Sequence, residues 1–369
     1  MIDHHAHRIR RDAATLERDR FRLCFSESRE PAMAEHIARS LGYRQAIHWL
    51  AGALETEPAE EAVLEARARW GTGELTRRLF RLAGVETVLI DTGYDPGPGG
   101  ESYDEAELAE LTGARVLRVA RLESLAEEAL GETGSFDDFL ELLRRRLSRL
   151  RAEGYVGLKS ILAYRSGLAV RPPDPAAAQA AWREEKEAAR GRPRPRLTRP
   201  ALLHLVLHEA LAACARQGLP LQFHVGFGDS DVRLPEASPG LLREVFEDPR
   251  WREVPLVLLH NYPFHREAGL LASLYANVYA DLSLTVPLTG PAAPRLLAEI
   301  LELAPSSKLL YASDAHTIPD TFAFAAHLAR TALEAVLEEW SRQGVLRAQE
   351  AGEIAEAFFR GNARRIYGL

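Results

Sequence analysis

The sequence predicts an α/β fold, a (β/α)8 or TIM barrel, on three observations. Short β-rich runs alternate with longer helical patterns, the signature of βα units and a parallel sheet. Eight such runs can be placed along the 369 residues. Several are almost wholly apolar until they end, as in Val254-Pro255-Leu256-Val257-Leu258-Leu259. A strand reads this way when helices cover one side and packed side chains fill the other. A doubly wound open sheet has the same local pattern, so periodicity alone does not close the barrel.

In chain order, strands are expected at Ile2 to His7, Val85 to Asp91, Ala114 to Ala120, Val156 to Ala163, Leu219 to Val225, Val254 to His260, Val278 to Leu284 and Lys308 to Ser313. Amphipathic segments such as Phe136 to Glu153 and Ala201 to Gln217 lie between them. Phe21 to Thr76 is helical in pattern and too long for one βα connection, which predicts a helical insertion over the barrel mouth after the first strand. Arg171 to Pro200 carries Pro172-Pro173, an Ala/Glu/Lys-rich stretch and Arg192-Pro193-Arg194-Pro195. It reads as an extended excursion with a short helix after the fourth strand, and a lid and a plain surface loop share that pattern. Ala323 to Leu369 reads as helices packing the barrel closed. No linker divides the chain, so residues 1–369 are expected to form one domain.

Composition narrows the function. The formal net charge of -7 offers no broad basic field for a phosphate backbone, which excludes nucleic acid as a partner. Arg144 to Arg146 then read as a solvated helix face. Two cysteines, Cys24 and Cys214, make neither a disulfide framework nor a zinc knuckle, and a reducing, cytoplasmic setting is expected. No run of about 18 apolar residues predicts a membrane span, and Met1-Ile2-Asp3-His4-His5 lacks the basic and apolar regions of a signal peptide. Lysine occurs only at Lys159, Lys186 and Lys308. A lysine retained among so many arginines raises the question of what arginine could not do there.

Histidines and acids gather at the carboxyl ends of the expected strands, which in a barrel point into one mouth. The first strand ends in Asp3-His4-His5-Ala6-His7, and the period of two sends His5 and His7 to one side, spaced to grip an ion, with His4 pointing away in a structural role. The fifth strand stops at His224 and the sixth at His260; the eighth closes on Asp314 and continues Ala315-His316. Alone, Asp314 would be read as a helix N-cap. Beside the histidines it is an anionic ligand or a general base. Lys159 sits in the otherwise apolar Gly157-Leu158-Lys159-Ser160-Ile161-Leu162. It either snorkels to the rim, pairs with a carboxylate, or has a desolvated amine that carbon dioxide carbamylates into a bridge between two ions.

This constellation resembles the amidohydrolase superfamily. GLKSILAYRSGL, LPLQFHVGFGD, VLLHNYPFHREAG, NVYADLS, SKLLYASDAH and GNARRIYGL are similar to its amidohydrolase-related branch, and within that to nodulin-like proteins and the amidohydrolase-like half of fungal FluG-type proteins. The resemblance covers essentially the whole chain. It implies that His5, His7, His224 and Asp314 bind a divalent metal at the barrel mouth. His260 is then a ligand to a second metal or a group that polarises substrate or water, and Lys159 matches the bridging position in strand number, so one or two ions are both consistent.

Imidazole and carboxylate donors without thiolates suit zinc first, and manganese or iron(II) as well. The implied activity is metal-dependent hydrolysis of a C–N bond, or less readily a C–O bond, in a small polar metabolite, with Asp314 moving the proton and His260 holding the carbonyl oxygen. Decarboxylation of a small carboxylic acid on the same cage is the alternative reaction, and a binding or scaffolding module the alternative class. Arg165 reads as a fork for a substrate carboxylate or as an ion pair with a lid acid. Asp229 and Asp231 orient a ligand histidine, bind an amine, or cap turns. His316 lines the pocket or merely starts a helix, and Glu27 descends over the mouth from the insertion. Tyr262 and His265 are wall or surface, and Asn362 caps the terminal helix. Dimers are the default expectation for a soluble enzyme.

Overall fold

The computed structural model of the protein describes residues 1–97, 101–192 and 194–369; Pro193 of the arginine-proline run lies outside the described residues. The strands are β1 (Ile2–Ala6), β2 (Thr87–Asp91), β3 (Arg115–Arg121), β4 (Tyr155–Ser160), β5 (Leu221–Val225), β6 (Leu256–His260), β7 (Val278–Asp281) and β8 (Leu309–Leu310). They pair in sequence order, each parallel to the next. The two edges then meet. His4 N–H donates to the Tyr311 carbonyl (3.3 Å), Asp314 N–H to the His5 carbonyl (2.9 Å) and His7 N–H to the Ala315 carbonyl (2.8 Å). These bonds make the sheet a (β/α)8 barrel and remove the open-sheet alternative.

Three strands stop earlier than the apolar runs suggest, each because a side chain captures the backbone. After Ser160, Glu123 takes the Ile161 N–H (3.0 Å) and the Ser160 hydroxyl (2.7 Å), turning β4 out of the ladder. Asp281 ends β7 by accepting from Ser283 N–H (3.1 Å). Beyond β8, Ser313 N–H goes to Asp3 Oδ1 (2.9 Å).

Between β1 and β2 lie α1 (Arg18–Leu23), α2 (Ala34–Ile37), α3 (Leu41–Ala53) and α4 (Glu60–Ala83). The outer ring continues with α5 (Glu105–Thr112), α6 (Leu122–Glu132) and α7 (Phe136–Arg149). The excursion after β4 carries α8 (Pro175–Ala188), whose first turn is capped by Asp174 and opened by proline, and leads into α9 (Pro200–Gln217). The remaining helices are α10 (Arg243–Glu247), α11 (His265–Leu274), α12 (Thr285–Thr289), α13 (Ala293–Leu301), α14 (Pro319–Arg342), α15 (Ala348–Glu356) and α16 (Asn362–Tyr367). Among the described residues no helix is long and apolar enough to cross a membrane.

Two apolar layers result. The larger fills the space between strands and helices. The smaller lies inside the barrel, where Ile2, Leu89, Val119, Val257, Leu259 and Leu310 meet Ala363, Ile366 and Tyr367 of α16. The last helix is thus the floor of the barrel. Asn362 does not cap it, as expected from sequence; its amide donates to the carbonyls of Ser306 (2.8 Å) and Leu309 (2.7 Å), pinning α16 beneath β8.

Arg67 of α4 and Asp320 of α14 are both fully buried and form a two-pronged ion pair (2.8 and 3.0 Å), with the guanidinium also over the Phe21 ring. Asp320→Ala strands that charge in the core. The expected loss is about 3–5 kcal/mol of unfolding free energy, read from the urea midpoint; a loss below about 1 kcal/mol would mean the pair does not tie α4 to α14.

Candidate metal centre

The site is built at the carboxyl ends of the strands, and its first feature departs from strict alternation. Four residues of β1, Asp3 to Ala6, span what β2 spans with three, Val88 to Ile90, which is a bulge. The extra residue puts His4 and His5 on the same side. His4 does not point away: its Nδ1 lies 3.0 Å from the Tyr367 hydroxyl and its Nε2 3.0 Å from Asp281 Oδ2, while His5 Nδ1 lies 2.9 Å from Gln222 Oε1. His4 therefore occupies the layer beneath the site, and His5 and His7 the layer above.

The hydrogen-bond network fixes which ring nitrogens of His5, His224 and His260 carry lone pairs. Gln222 Nε2 donates to the His4 carbonyl (2.9 Å) and the Tyr367 hydroxyl (2.8 Å), so Oε1 is the acceptor and His5 Nδ1 the donor. His5 Nε2 is then a lone pair, and it faces Asp314 Oδ1 at 3.2 Å. His7 Nε2 stands at 3.2 Å from the same oxygen, which is buried and accepts no hydrogen bond. Ser283 Oγ donates to Asp281 Oδ1 (2.9 Å), so His260 Nδ1 donates to Ser283 (2.9 Å) and its Nε2 lone pair meets the Lys159 ammonium at 3.5 Å. His224 Nε2 donates to the Phe227 carbonyl (3.0 Å), leaving Nδ1 free to coordinate. The His5 electron pair and the carboxylate oxygen repel unless a cation lies between them, whereas His7 Nδ1 is buried without a partner and no contact assigns its ring proton. The donor set of His5, His7 and Asp314 therefore fits a divalent ion, and His5, His260 and Asp314, like His5, His7 and Asp91, cluster closely enough to share one.

Burial keeps these donors in the right protonation state. It lowers His5 to about 4, assisted by the Lys159 charge, and holds His224 and His260 well below the ordinary histidine value. Burial brings Lys159 down to about 8. By contrast, Lys186 and Lys308 spend their ammoniums on backbone carbonyls, Lys186 on that of Leu130 (2.6 Å). Two members of the site, His260 (φ 70°) and Asp314 (φ 53°), occupy the left-handed region that non-glycine residues avoid. Asp281 accepts the His260 N–H (2.7 Å), and the Asn261 amide donates to the Leu258 (2.7 Å) and Asp281 (3.0 Å) carbonyls, holding that turn.

A cavity of about 390 Å³ opens over the site, walled by His5, His7, Lys159, His224, His260 and Asp314. Of the other expected residues, Arg165, Asp229, Asp231, His316 and Glu27 also line it. Asp229 and Asp231 pair with Arg29, and Asp231 with Arg196 (3.5 Å), rather than orienting His224. Arg165 lies 3.1 Å from Glu127 of α6, an acid of the barrel ring and not of the excursion. Burial raises Glu27 to about 8. Tyr262 and His265 stack on each other away from the cavity, His265 bonded to Glu299 (2.6 Å).

Sequence reasoning missed Asp91 and Arg121, a buried pair at the ends of β2 and β3 in which Arg121 holds Asp91 below the usual carboxylate range against burial. It also missed Gln222 and Tyr164. Tyr164 leans over His224 (ring centroids 4.5 Å) because Gly228 has no Cβ, which would fall 2.0 Å from the tyrosine oxygen. Signals existed: an acid closing Val88-Leu89-Ile90-Asp91, and a glutamine inside the apolar run of β5.

Comparison with known proteins agrees with this architecture. A family model described as Amidohydrolase matches residues 134–369, more than half of the chain. Protein fluG of Emericella nidulans is 29% identical over 404 aligned residues, covering 100% of this chain and 46% of its own length, so the chain spans about half of that curated relative. A crystal structure described as a "putative metal-dependent hydrolase" from Lactobacillus casei has a TM-score of 0.89 at 30% identity, covering 100% of this chain and 95% of that one. Uronate isomerase of Thermotoga maritima shares the fold, with a TM-score of 0.71 at 16% identity over 100% and 94% of the two chains.

His316 gives a pH test of these buried imidazoles. Burial, then the nearby His7 charge, lowers it to about 4. Between about 6.5 and 4 the unfolded chain binds a proton there that the folded chain refuses, so this stability is present above 6.5 and lost as the pH falls. Denaturant midpoints of the metal-free protein should drop more steeply over that window than those of His316→Gln; equal slopes would contradict a neutral buried His316.

Proposed function

The chain belongs to the amidohydrolase family, and on that premise we propose that it is a metal-dependent hydrolase cleaving a C–N bond, of amide or amidine type, in a small polar metabolite. A C–O bond is the second choice. The observation that carries this reading is the buried Asp314 oxygen facing His5 and His7 at 3.2 Å with no hydrogen bond to explain the approach. His5 and His7 through Nε2, Asp314 through Oδ1 and His224 through Nδ1 would hold the ion, with zinc first and manganese or iron(II) as alternatives. When bound, such an ion lowers the pKa of its water from 15.7 towards roughly 7 and supplies hydroxide at neutral pH.

The remaining chemistry falls to the chain. Asp314 accepts the proton of the attacking water at Oδ2 and returns it to the departing nitrogen. His260 spends its N–H on Ser283, so it is not the donor to the substrate's oxygen that the resemblance implies. Lys159 takes that place: its ammonium, steadied by the His260 lone pair, lines the cavity and meets the developing oxyanion, a contact worth about 3 kcal/mol in the transition state. With the His260 lone pair so engaged, one ion per chain is the favoured stoichiometry.

Removing metal with a chelator should abolish amide hydrolysis and metal replacement restore it. Asp314→Asn should lower turnover about 1,000-fold or more with the circular dichroism unchanged. On a panel of amides, lactones and aromatic carboxylates, amine release without carbon dioxide is expected; carbon dioxide release would replace the hydrolase with a decarboxylase. Metal analysis should return one ion per chain, and the intact mass should not change with bicarbonate. Two ions with an added carbon dioxide would make Lys159 a bridge instead.

A further inference from the structure

We propose that the substrate carries a carboxylate remote from the bond that is cut and that Arg165 receives it; this rests on the hydrolase reading above and adds a substrate class to it. Arg165 follows the short turn Leu162–Tyr164 beyond β4 and lines the cavity. Its side chain is nine-tenths buried, at 10% exposure. A guanidinium has five N–H donors. Among the described residues this one makes a single ion-pair contact, 3.1 Å to Glu127 Oε1, and its Nε is buried without a partner. Glu127 is not among the residues lining the cavity, and the same oxygen accepts the Leu197 N–H (3.0 Å), so Arg165 shares this acceptor.

The other arginines of the lining are either held by two contacts to one acid or exposed to water. Arg121 is held by Asp91, Arg29 by Asp229 and Asp231, and Arg196 by Asp231 and the Tyr164 carbonyl. Arg165 is therefore the less satisfied of the two arginines that line the cavity away from water, and burial, the leading influence on it, disfavours its charge. Leaving such a group short of acceptors is costly. A planar carboxylate offers two acceptor oxygens in the geometry of the guanidinium fork. The cavity volume lies at the small end of ligand sites, which suits a metabolite with one amide and one acid rather than a polymer.

Calorimetric titration of the metal-free protein with succinate and glutarate, against their diamides, tests the anion site apart from turnover. At least one dicarboxylate should bind about 30-fold more tightly than its diamide. Arg165→Gln should erase that difference and Arg165→Lys keep part of it, with thermal melting checking that each variant folds. Equal binding of acid and diamide by the unaltered protein would overturn the proposal even if no variant folded. So would undiminished dicarboxylate binding by Arg165→Gln, which would move the role to Arg121 or Lys159. Dicarboxylate binding through Arg165 in a metal-loaded protein that hydrolyses no amide would sink the hydrolase reading and leave the anion site. Hydrolysis of neutral amides without dicarboxylate binding would do the reverse.

Discussion

Two imidazole nitrogens facing one buried carboxylate oxygen form the contact around which this barrel is organised. His5 and His7 come from β1 and Asp314 from the chain just beyond β8, so the contact crosses the seam where the sheet closes on itself. Closure and site formation are the same event: the Asp314 N–H that binds the His5 carbonyl also aims the Asp314 side chain at the His5 ring. The His5 lone pair and the Asp314 oxygen repel one another without a cation, and binding one releases that free energy. The seam is thus expected to be the part of the barrel most responsive to metal.

Support for the contact descends in layers. Gln222 holds His5, and the Tyr367 hydroxyl and His4 backbone hold Gln222; on the other flank Ser283 and Asp281 hold His260. Each fixes a ring by its second nitrogen, leaving the first for chemistry. The left-handed conformations of His260 and Asp314 cost about 1–3 kcal/mol each, and they persist because neighbouring hydrogen bonds leave those turns no alternative. Stability lent by the surrounding core is converted here into placement.

Much of this was legible in the sequence because parallel strands with covered faces are apolar, so a histidine or aspartate ending one is conspicuous. His224, His260 and Asp314 stood out in this way. What was not legible came from departures from regular geometry. No alternation rule anticipates the bulge that turns His4 inward, and the early ends of β4 and β8 depend on Glu123 and Asp3, residues far from them in the chain. The pairing of Arg165 with Glu127 instead of an excursion acid, and of Asp229 with Arg29, are likewise contacts between segments that local pattern cannot match.

The floor made by α16 sets an order of events during biosynthesis. Translation delivers His5 and His7 long before Asp314, and Tyr367, which steadies the glutamine behind His5, later still. A nascent polypeptide at the ribosome therefore exposes half of a chelating pair with nothing to complete it. Only a chain made and folded through Tyr367 presents the full, supported set of ligands to the cellular metal pool.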